Sequence, residues 1–431
     1  MGVFFYQIFL ALYRLAIWVA SIFNGKAKQW VRGRIGLLQK METSLANVSH
    51  SASRRRIWMH CASLGEFEQG RPVLEKIKQQ FPSTIIILTF FSPSGYENQK
   101  NYKGVDFVFY LPMDGPLTAK RFVNIVQPDL VLWVKYEYWY YYLSALAAKN
   151  IPVLMISGLL RPGQPFFTWY GGIWRKMLHC FTYYFVQNSE SKTLLESLSI
   201  KDKATICGDT RFDRVLEIAG KFEPLPLIER FCGAQKVIVA GSTWDDDEAV
   251  LAHYIKQHPA VKFIIAPHEI DVVNIQDIQK LFPKAICYSE LSGKNANTST
   301  QNHEELFAAQ VLIIDNIGML SRLYYYADIT YVGGGFNAGG IHNVIEAAVF
   351  GKVVFFGPVY EKFADAVGLV ETGAGISVNS AIEFENKLNK IFENEEELDR
   401  LSQAAAQYVA ANGGATDAVM QYIYEKRLLT N

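Results

Sequence analysis

IWMHCASLGEFEQGRPVLEKI, residues 57–77, changes periodicity part-way along its length. The opening 57–63 is a short, largely apolar run closed by Ser63 and Gly65, which reads as a strand buried within a sheet. From Glu66 onward the apolar residues recur at helical spacing, with an acidic residue in the first turn. Strand, turn and helix in this order form the unit from which parallel sheets with covered faces are built. Similar apolar runs follow at 84–90, 106–111, 130–134, 153–157, 184–187 and 204–207. The stretch 216–235, punctuated by Pro224 and Pro226, breaks the rhythm as a linker does. A second series then runs through 237–240, 263–266, 285–288, 311–315, 329–332 and 353–356. The fold expected is α/β, two Rossmann-like domains facing a cleft, because ligands gather at the C-terminal ends of parallel strands. The chain divides on this reading into an anchor and basic stretch at 1–40, domains at 41–218 and 219–410, and a C-terminal helix at 411–431. The polar run 292–305 reads as a loop.

Half of the residues are hydrophobic and 19% are charged, enough material for a large core. Forty-two basic side chains balance 42 acidic ones, so the electrostatic signature of a nucleic-acid partner is missing. The distribution is uneven. No acid precedes Glu42, whereas Arg14, Lys26, Lys28, Arg32, Arg34 and Lys40 are all basic. Residues 3–23 are apolar over about the length of a membrane span, but Arg14 at the centre costs about 2.5–3.5 kcal/mol on insertion. A helix lying in the interface therefore competes with a span, and in either case the basic stretch faces anionic headgroups. Membrane lipids are an expected partner and the cytoplasmic side of a membrane the expected location. A cleaved leader is disfavoured, since no basic start or small-residue cleavage site is present. The five cysteines never fall as CxxC, which argues against a disulfide framework or a zinc site.

Several strand ends carry side chains suited to chemistry. Glu66 stands at the edge where active sites of such sheets gather, and equally suits the positive end of its helix. SPSGYE, residues 92–97, offers either an anion site or an ordinary N-cap. Glu137, in LWVKYEYW, is either a partly desolvated functional carboxylate or half of a buried ion pair. Arg211, in GDTRFD, suits phosphate or carboxylate recognition and has Asp209 and Asp213 as alternative structural partners. In AGSTWDDDE, Asp245, Asp246 and Asp247 are expected to face solvent, since they would repel a phosphate. Pro267 and His268 end another strand. The strongest local signal is GGGFNAGGIHNVIE, residues 333–346, whose glycines are expected to let backbone approach a ligand. A helix beginning near His342 or Asn343 would point its positive end at a phosphate, with Glu346 available to a ribose diol. Neither GxGxxG after the first strand nor GxxxxGK[ST] occurs, so dehydrogenase and P-loop readings are weak.

Taken in order, HCASLGE, LTFFSPSG, LWVKYEYW, GDTRFD, AGSTWDDDE, APHE, DNIGMLSRLYYYADITYVGGGF and GGIHNVIEAAVFGKVVFFGP make the chain similar to the 3-deoxy-D-manno-octulosonic acid (Kdo) transferases of lipopolysaccharide synthesis. The resemblance implies the glycosyltransferase B fold and metal-independent, inverting transfer of Kdo from CMP-Kdo to the lipid A precursor, lipid IVA, without a cofactor. It makes 41–218 the acceptor domain and 219–410 the nucleotide-sugar domain. It implies Glu66 as general base, with Glu137 and Arg211 organising the transition state. Pro267, His268, Gly318, Met319, Leu320, Asn343, Val344, Ile345 and Glu346 correspond to the CMP contacts. The chain departs from the family pattern at Lys135, usually acidic, at Tyr140, usually Pro, at Arg211, usually Lys, and at His268, usually Arg. A UDP-sugar transferase of the same fold, or a membrane-bound nucleotide- or lipid-binding protein without turnover, are the competing readings.

Overall fold

The computed structural model describes residues 2–46, 54–293 and 307–430. By contacts the chain forms two compact units, Met1–Arg214 with Asn412–Asn431, and Val215–Ala411.

The first unit is built on seven strands: β1 (Arg56–Cys61), β2 (Ile85–Phe90), β3 (Phe107–Tyr110), β4 (Leu130–Val134), β5 (Val153–Gly158), β6 (Tyr183–Val186) and β7 (Ala204–Ile206). They lie in the order β3-β2-β1-β4-β5-β6-β7, all parallel. β1, β2, β4 and β5 are buried along their whole length, which is why their sequences are apolar on both faces and do not alternate. The strand order reverses between β1 and β4, so the loops after these two strands diverge and leave a crevice at their C-terminal ends.

The second unit repeats the plan with β8 (Val237–Thr243), β9 (Lys262–Pro267), β10 (Ile286–Cys287), β11 (Val311–Ile313), β12 (Ile329–Val332), β13 (Val353–Phe356) and β14 (Gly375–Ser377). Their order is β10-β11-β9-β8-β12-β13-β14, again all parallel, and the reversal falls between β8 and β12. β14 is not among the strands expected from sequence. Three residues beginning with glycine carry no periodicity, and pairing with β13 alone makes them a strand. Within the stretch read as a linker, Pro226–Cys232 is a helix that buries Ile228 and Phe231. The polar run 292–305 lies, from residue 294, outside the described residues.

The first unit begins with three helices, α1 (Gly2–Ala20), α2 (Gly25–Arg32) and α3 (Leu37–Ala46), and a fourth, α4 (Leu64–Gln80), leaves the end of β1. α1 is docked by one face. Tyr6 and Leu10 are buried, Tyr13 and Ile17 pack beside them, and this i, i+4, i+7, i+11 spacing is a single helical stripe. Tyr6 Oη donates to Asp114 Oδ2 at 2.7 Å and accepts the N–H of Tyr140 at 3.2 Å. The opposite face of α1, including Phe5, Phe9, Leu12, Leu15 and Trp18, is exposed. α4 follows β1 closely because Gly70 faces the sheet, where a Cβ would stand 2.8 Å from Met59 Sδ and 2.9 Å from Val134 Cγ2. The C-terminal helix Ala415–Glu425 packs in the first unit, where Val419, Met420 and Ile423 join Ile57, Leu154 and Phe185.

Candidate active site

In the first unit the switch point brings together side chains from four sequence segments. Glu66, in the first turn of α4, is buried, and its Oε2 accepts the backbone N–H of Ala62. Burial, reinforced by the charge of Glu137, pushes its carboxyl up to about 7 against the N–H groups of Ala62 and Tyr136 and the charge of Lys135. A carboxyl held there exchanges its proton near neutral pH, the condition under which a general base is most effective. Glu137 follows β4 and is fixed from three sides. His60 Nε2 lies 3.0 Å from its Oε2, Trp139 Nε1 donates to the same oxygen at 3.0 Å, and Trp133 Nε1 donates to its backbone oxygen at 2.6 Å. His60 Nδ1 is 3.0 Å from Thr89 Oγ1, which also accepts from Trp58 Nε1 at 2.8 Å. The neighbouring Cys61 is fully buried, which pushes its thiol up and leaves it protonated and unreactive.

Arg211 takes Asp209 as its partner. Its Nε donates to Asp209 Oδ2 at 3.1 Å and its N–H to Oδ1 at 2.9 Å. Asp213, the other candidate, accepts the N–H groups of Gly414 and Thr416 at the start of the C-terminal helix. Asp209 is buried and is also met by Gln69 Nε2 at 2.6 Å, Gln187 Nε2 at 2.9 Å and Lys135 Nζ at 3.8 Å. Lys135 has φ +53, a left-handed conformation uncommon outside glycine, and this turn after β4 separates it from Glu137. The two cations Lys135 and Arg211 thus share one buried carboxylate close to Glu66. Ser92, in SPSGYE, accepts the N–H of Ser94 and caps a helix of seven residues, the plainer of its two readings.

In the second unit the ends of β8, β9 and β12 carry a stack of rings. Trp244 and His268 lie 4.6 Å apart at 24°, and His268 and His342 lie 4.4 Å apart at 25°. Trp244 Nε1 donates to His342 Nε2 at 3.1 Å, and burial lowers His342 to about 4, so its ring is neutral and accepts. Asp247 corrects the expectation that the DDD triplet faces solvent. Asp245 and Asp246 are exposed, but Asp247 is fully buried. Its Oδ2 accepts from Gly334 N at 2.8 Å and Trp244 N at 3.0 Å, and its Oδ1 from Tyr331 Oη at 2.8 Å. The third residue of a helix can reach back to free N–H groups, and here it ties the glycine loop to β8.

That loop also differs from the sequence reading. A Cβ on Gly333 would stand 2.3 Å from Ser242 O, and one on Gly335 2.5 Å from Gly357 N, so these glycines admit the protein's own backbone rather than a ligand. The helix begins at Ile345, not at His342 or Asn343, and lasts four residues. One turn aligns too few peptide dipoles for the helix-terminus argument to hold. Val344 and Ile345 are buried in the core, leaving only their backbone to a ligand. Asn343 Nδ2 donates to Glu346 Oε1 at 2.8 Å, while Asn343 Oδ1 is buried with no donor among the described residues. Asn316 Oδ1, after β11, is in the same state, two residues before the open, left-handed Gly318. Two orphaned acceptors in loops of the second unit, Asn316 after β11 and Asn343 after β12, suit the hydroxyl and amino donors of a nucleoside.

Sequence reasoning did not single out His60, Asp209, Asp247 or His342 as functional. His60 has a signal in the sequence, a polar side chain near the C-terminal end of a strand whose residues 57–59 and 61 are apolar.

A family model for 3-deoxy-D-manno-octulosonic-acid transferase matches residues 30–214, a span that includes Glu66, Glu137 and Arg211. The Kdo transferase of Aquifex aeolicus is 27% identical over 350 residues, 79% of this chain and 87% of that one. Over most of its length the chain is thus similar to Kdo transferases. A bifunctional glycosyltransferase/methyltransferase of Fusobacterium nucleatum is 28% identical over 80% of this chain, which spans only about half (53%) of that relative. Among solved structures, UDP-GlcNAc 2-epimerase from Neisseria meningitidis bound to UDP-GlcNAc matches with a TM-score of 0.60 at 16% identity, covering 86% of this chain and 100% of that one. At that identity the likeness speaks to fold alone, two Rossmann-like sheets of the glycosyltransferase B type.

Proposed function

We propose that the chain transfers Kdo from CMP-Kdo to the lipid A precursor, a phosphorylated and acylated glucosamine disaccharide, with inversion and without a metal. The observation that carries this reading is Glu66, a buried carboxyl held near 7 at the switch point of the first sheet. Glu66 accepts the proton of the acceptor hydroxyl as that oxygen forms its bond to the anomeric carbon of Kdo. The bond from that carbon to the phosphate oxygen breaks in the same displacement, and CMP leaves with the electron pair. Glu137, locked by His60 and Trp139, presents fixed negative charge beside the electron-poor sugar carbon of the transition state. Arg211 and Lys135, partly neutralised by Asp209, oppose charge developing on the departing phosphate. The second unit holds the donor, with Asn343, Glu346 and the Gly318–Met319–Leu320 turn toward the nucleoside and the Trp244–His268–His342 stack as a flat wall. α1, docked by one stripe and apolar on the other, lies along the cytoplasmic surface of the inner membrane rather than crossing it. Purified protein given CMP-Kdo and lipid IVA is expected to release CMP and yield a Kdo-bearing lipid by mass spectrometry. Release no faster than from a Glu66→Ala control overturns the reading, and competition by UMP as strong as by CMP overturns the assigned donor.

A further inference from the structure

Beside α1 the first unit carries a cavity of about 490 Å³ whose lining includes Arg14, Trp30, Arg34, Leu38, Thr118 and Arg121. Its charge is one-sided. Arg14 Nη2 donates to Asp114 O at 3.2 Å, and Arg34 donates to Leu111 O, Trp30 O and Phe91 O at 2.8–3.1 Å. Among the described residues neither guanidinium has a carboxylate at ion-pair distance, and only Arg121 does, pairing with Glu42 at 2.8 Å. Arg34 lies over the Trp30 ring at 3.8 Å, in surroundings that disfavour its charge through burial. Arg14, bonded to one carbonyl, retains unused N–H donors, and Arg34, held by three carbonyls and the ring faces of Trp30, Phe91 and Tyr110, carries its charge with no carboxylate at ion-pair distance among the described residues. Trp30, nine-tenths buried, adds an indole N–H with no acceptor among the described residues. Ile35 and Leu117, next in sequence to the lining residues Arg34 and Thr118, are 76% and 82% exposed, and Arg14 stands on α1, whose outer face is apolar.

We propose that this cavity is a phosphate site that takes the phosphomonoester headgroup of a lipid from the leaflet against which α1 lies. A monoester carries about −1.5 to −2 charge, which suits two unpaired guanidinium groups better than the single charge of a diester. The volume admits a headgroup, and the apolar outer face of α1 meets what the headgroup is attached to. The site adjoins the catalytic carboxylates through a chain of rings. Trp30 packs on Phe91 at 5.6 Å, Phe91 on Trp139 at 4.7 Å, and Trp139 holds Glu137. The inference rests on the membrane-surface reading of α1 and does not require the transfer reaction.

Titration calorimetry of the full chain with short-chain, water-soluble lipids tests the cavity without a membrane. Dihexanoyl phosphatidic acid is expected to bind at least about tenfold more tightly than dihexanoyl phosphatidylglycerol, the ratio of one charge-assisted contact. Arg14→Gln is expected to abolish that preference. So is Thr118→Phe, which fills the cavity and keeps every charge, with thermal melting confirming that both variants fold. Equal affinities for the two lipids, or a preference that survives Thr118→Phe, overturns the proposal. Two further measurements separate the sources of the phosphate. If it belongs to the glycolipid acceptor, Arg14→Gln raises the acceptor KM in detergent with kcat unchanged, and glucosamine 1-phosphate competes with phosphatidic acid. If it belongs to bulk phospholipid, KM stays constant and affinity for phosphatidic acid vesicles falls instead.

Discussion

Replacing Glu66 by Gln should slow transfer by about 10²- to 10⁴-fold and, above neutral pH, make the first unit more stable. In the folded chain burial holds this carboxyl at about 7 against an ordinary value of 4.5. One pH unit is about 1.4 kcal/mol, so ionising Glu66 in place costs about 3 kcal/mol more than ionising it in the unfolded chain. The sign follows from the direction of the displacement. A carboxyl whose folded pKa lies above its unfolded value stabilises the fold while protonated, fully so below about pH 4.5, and that contribution is lost as pH rises through about 7. Glutamine has no proton to lose. Its oxygen still accepts from Ala62 N, at a constant cost of about 1 kcal/mol for exchanging a charged acceptor for a neutral one. The stability of Glu66→Gln relative to the parent should therefore climb by about 3 kcal/mol between pH 4.5 and pH 8. Urea unfolding across that range, followed by tryptophan fluorescence, reads this change in the correct unit, since seven of the eight tryptophans lie in it. The parent rate should rise with pH and reach half its plateau near 7, while the variant falls by about 10²- to 10⁴-fold. A stability difference that is flat with pH, or that shrinks as pH rises, refutes the argument, as does a variant that transfers at the parent rate.

Asp247→Asn turns an acceptor of three hydrogen bonds into a group that cannot receive all of them. The second unit should lose about 1–3 kcal/mol and CMP affinity should weaken about tenfold, and an unchanged Kd by calorimetry would show that the loop does not need this tie. His60→Gln should release Glu137 from its fixed orientation and lower kcat by about 10²-fold while the KM for donor stays constant. A rise in KM with kcat preserved would assign His60 to binding instead.

The two-sheet plan was legible because a parallel sheet covered on both faces imposes apolar runs on its strands, and these recur in both halves. β14, three residues that open on glycine and close on serine, leaves no such trace. Glu66 and Glu137 were legible for a related reason: both follow central strands, and the chain after a central strand must surface at the crevice. The glycine-rich segment misled in two ways. Its glycines relieve contacts between β8, β12 and the turn after β13 that no local pattern encodes, and its helix is too short to orient an anion. Asp247 looked like a solvated helix start because the two acids before it are exposed, and only the approach of Gly334 and Tyr331 explains why the third is not.

By itself, then, the order of residues determined the fold class, the apolar character of α1 and the places where the chain leaves each sheet, since each depends on local periodicity and on the reach of a few residues. The tertiary structure decided the partners. His60 meets Glu137 across 77 positions, and Asp209 gathers Gln69 from 140 positions away. Trp244 finds His342 across 98. Arg14, on α1, and Arg34, in the turn between α2 and α3, lie beside one cavity. Contacts at such separations arise from strand order and helix packing, which sum interactions over a whole unit and leave no signature in any one stretch of chain.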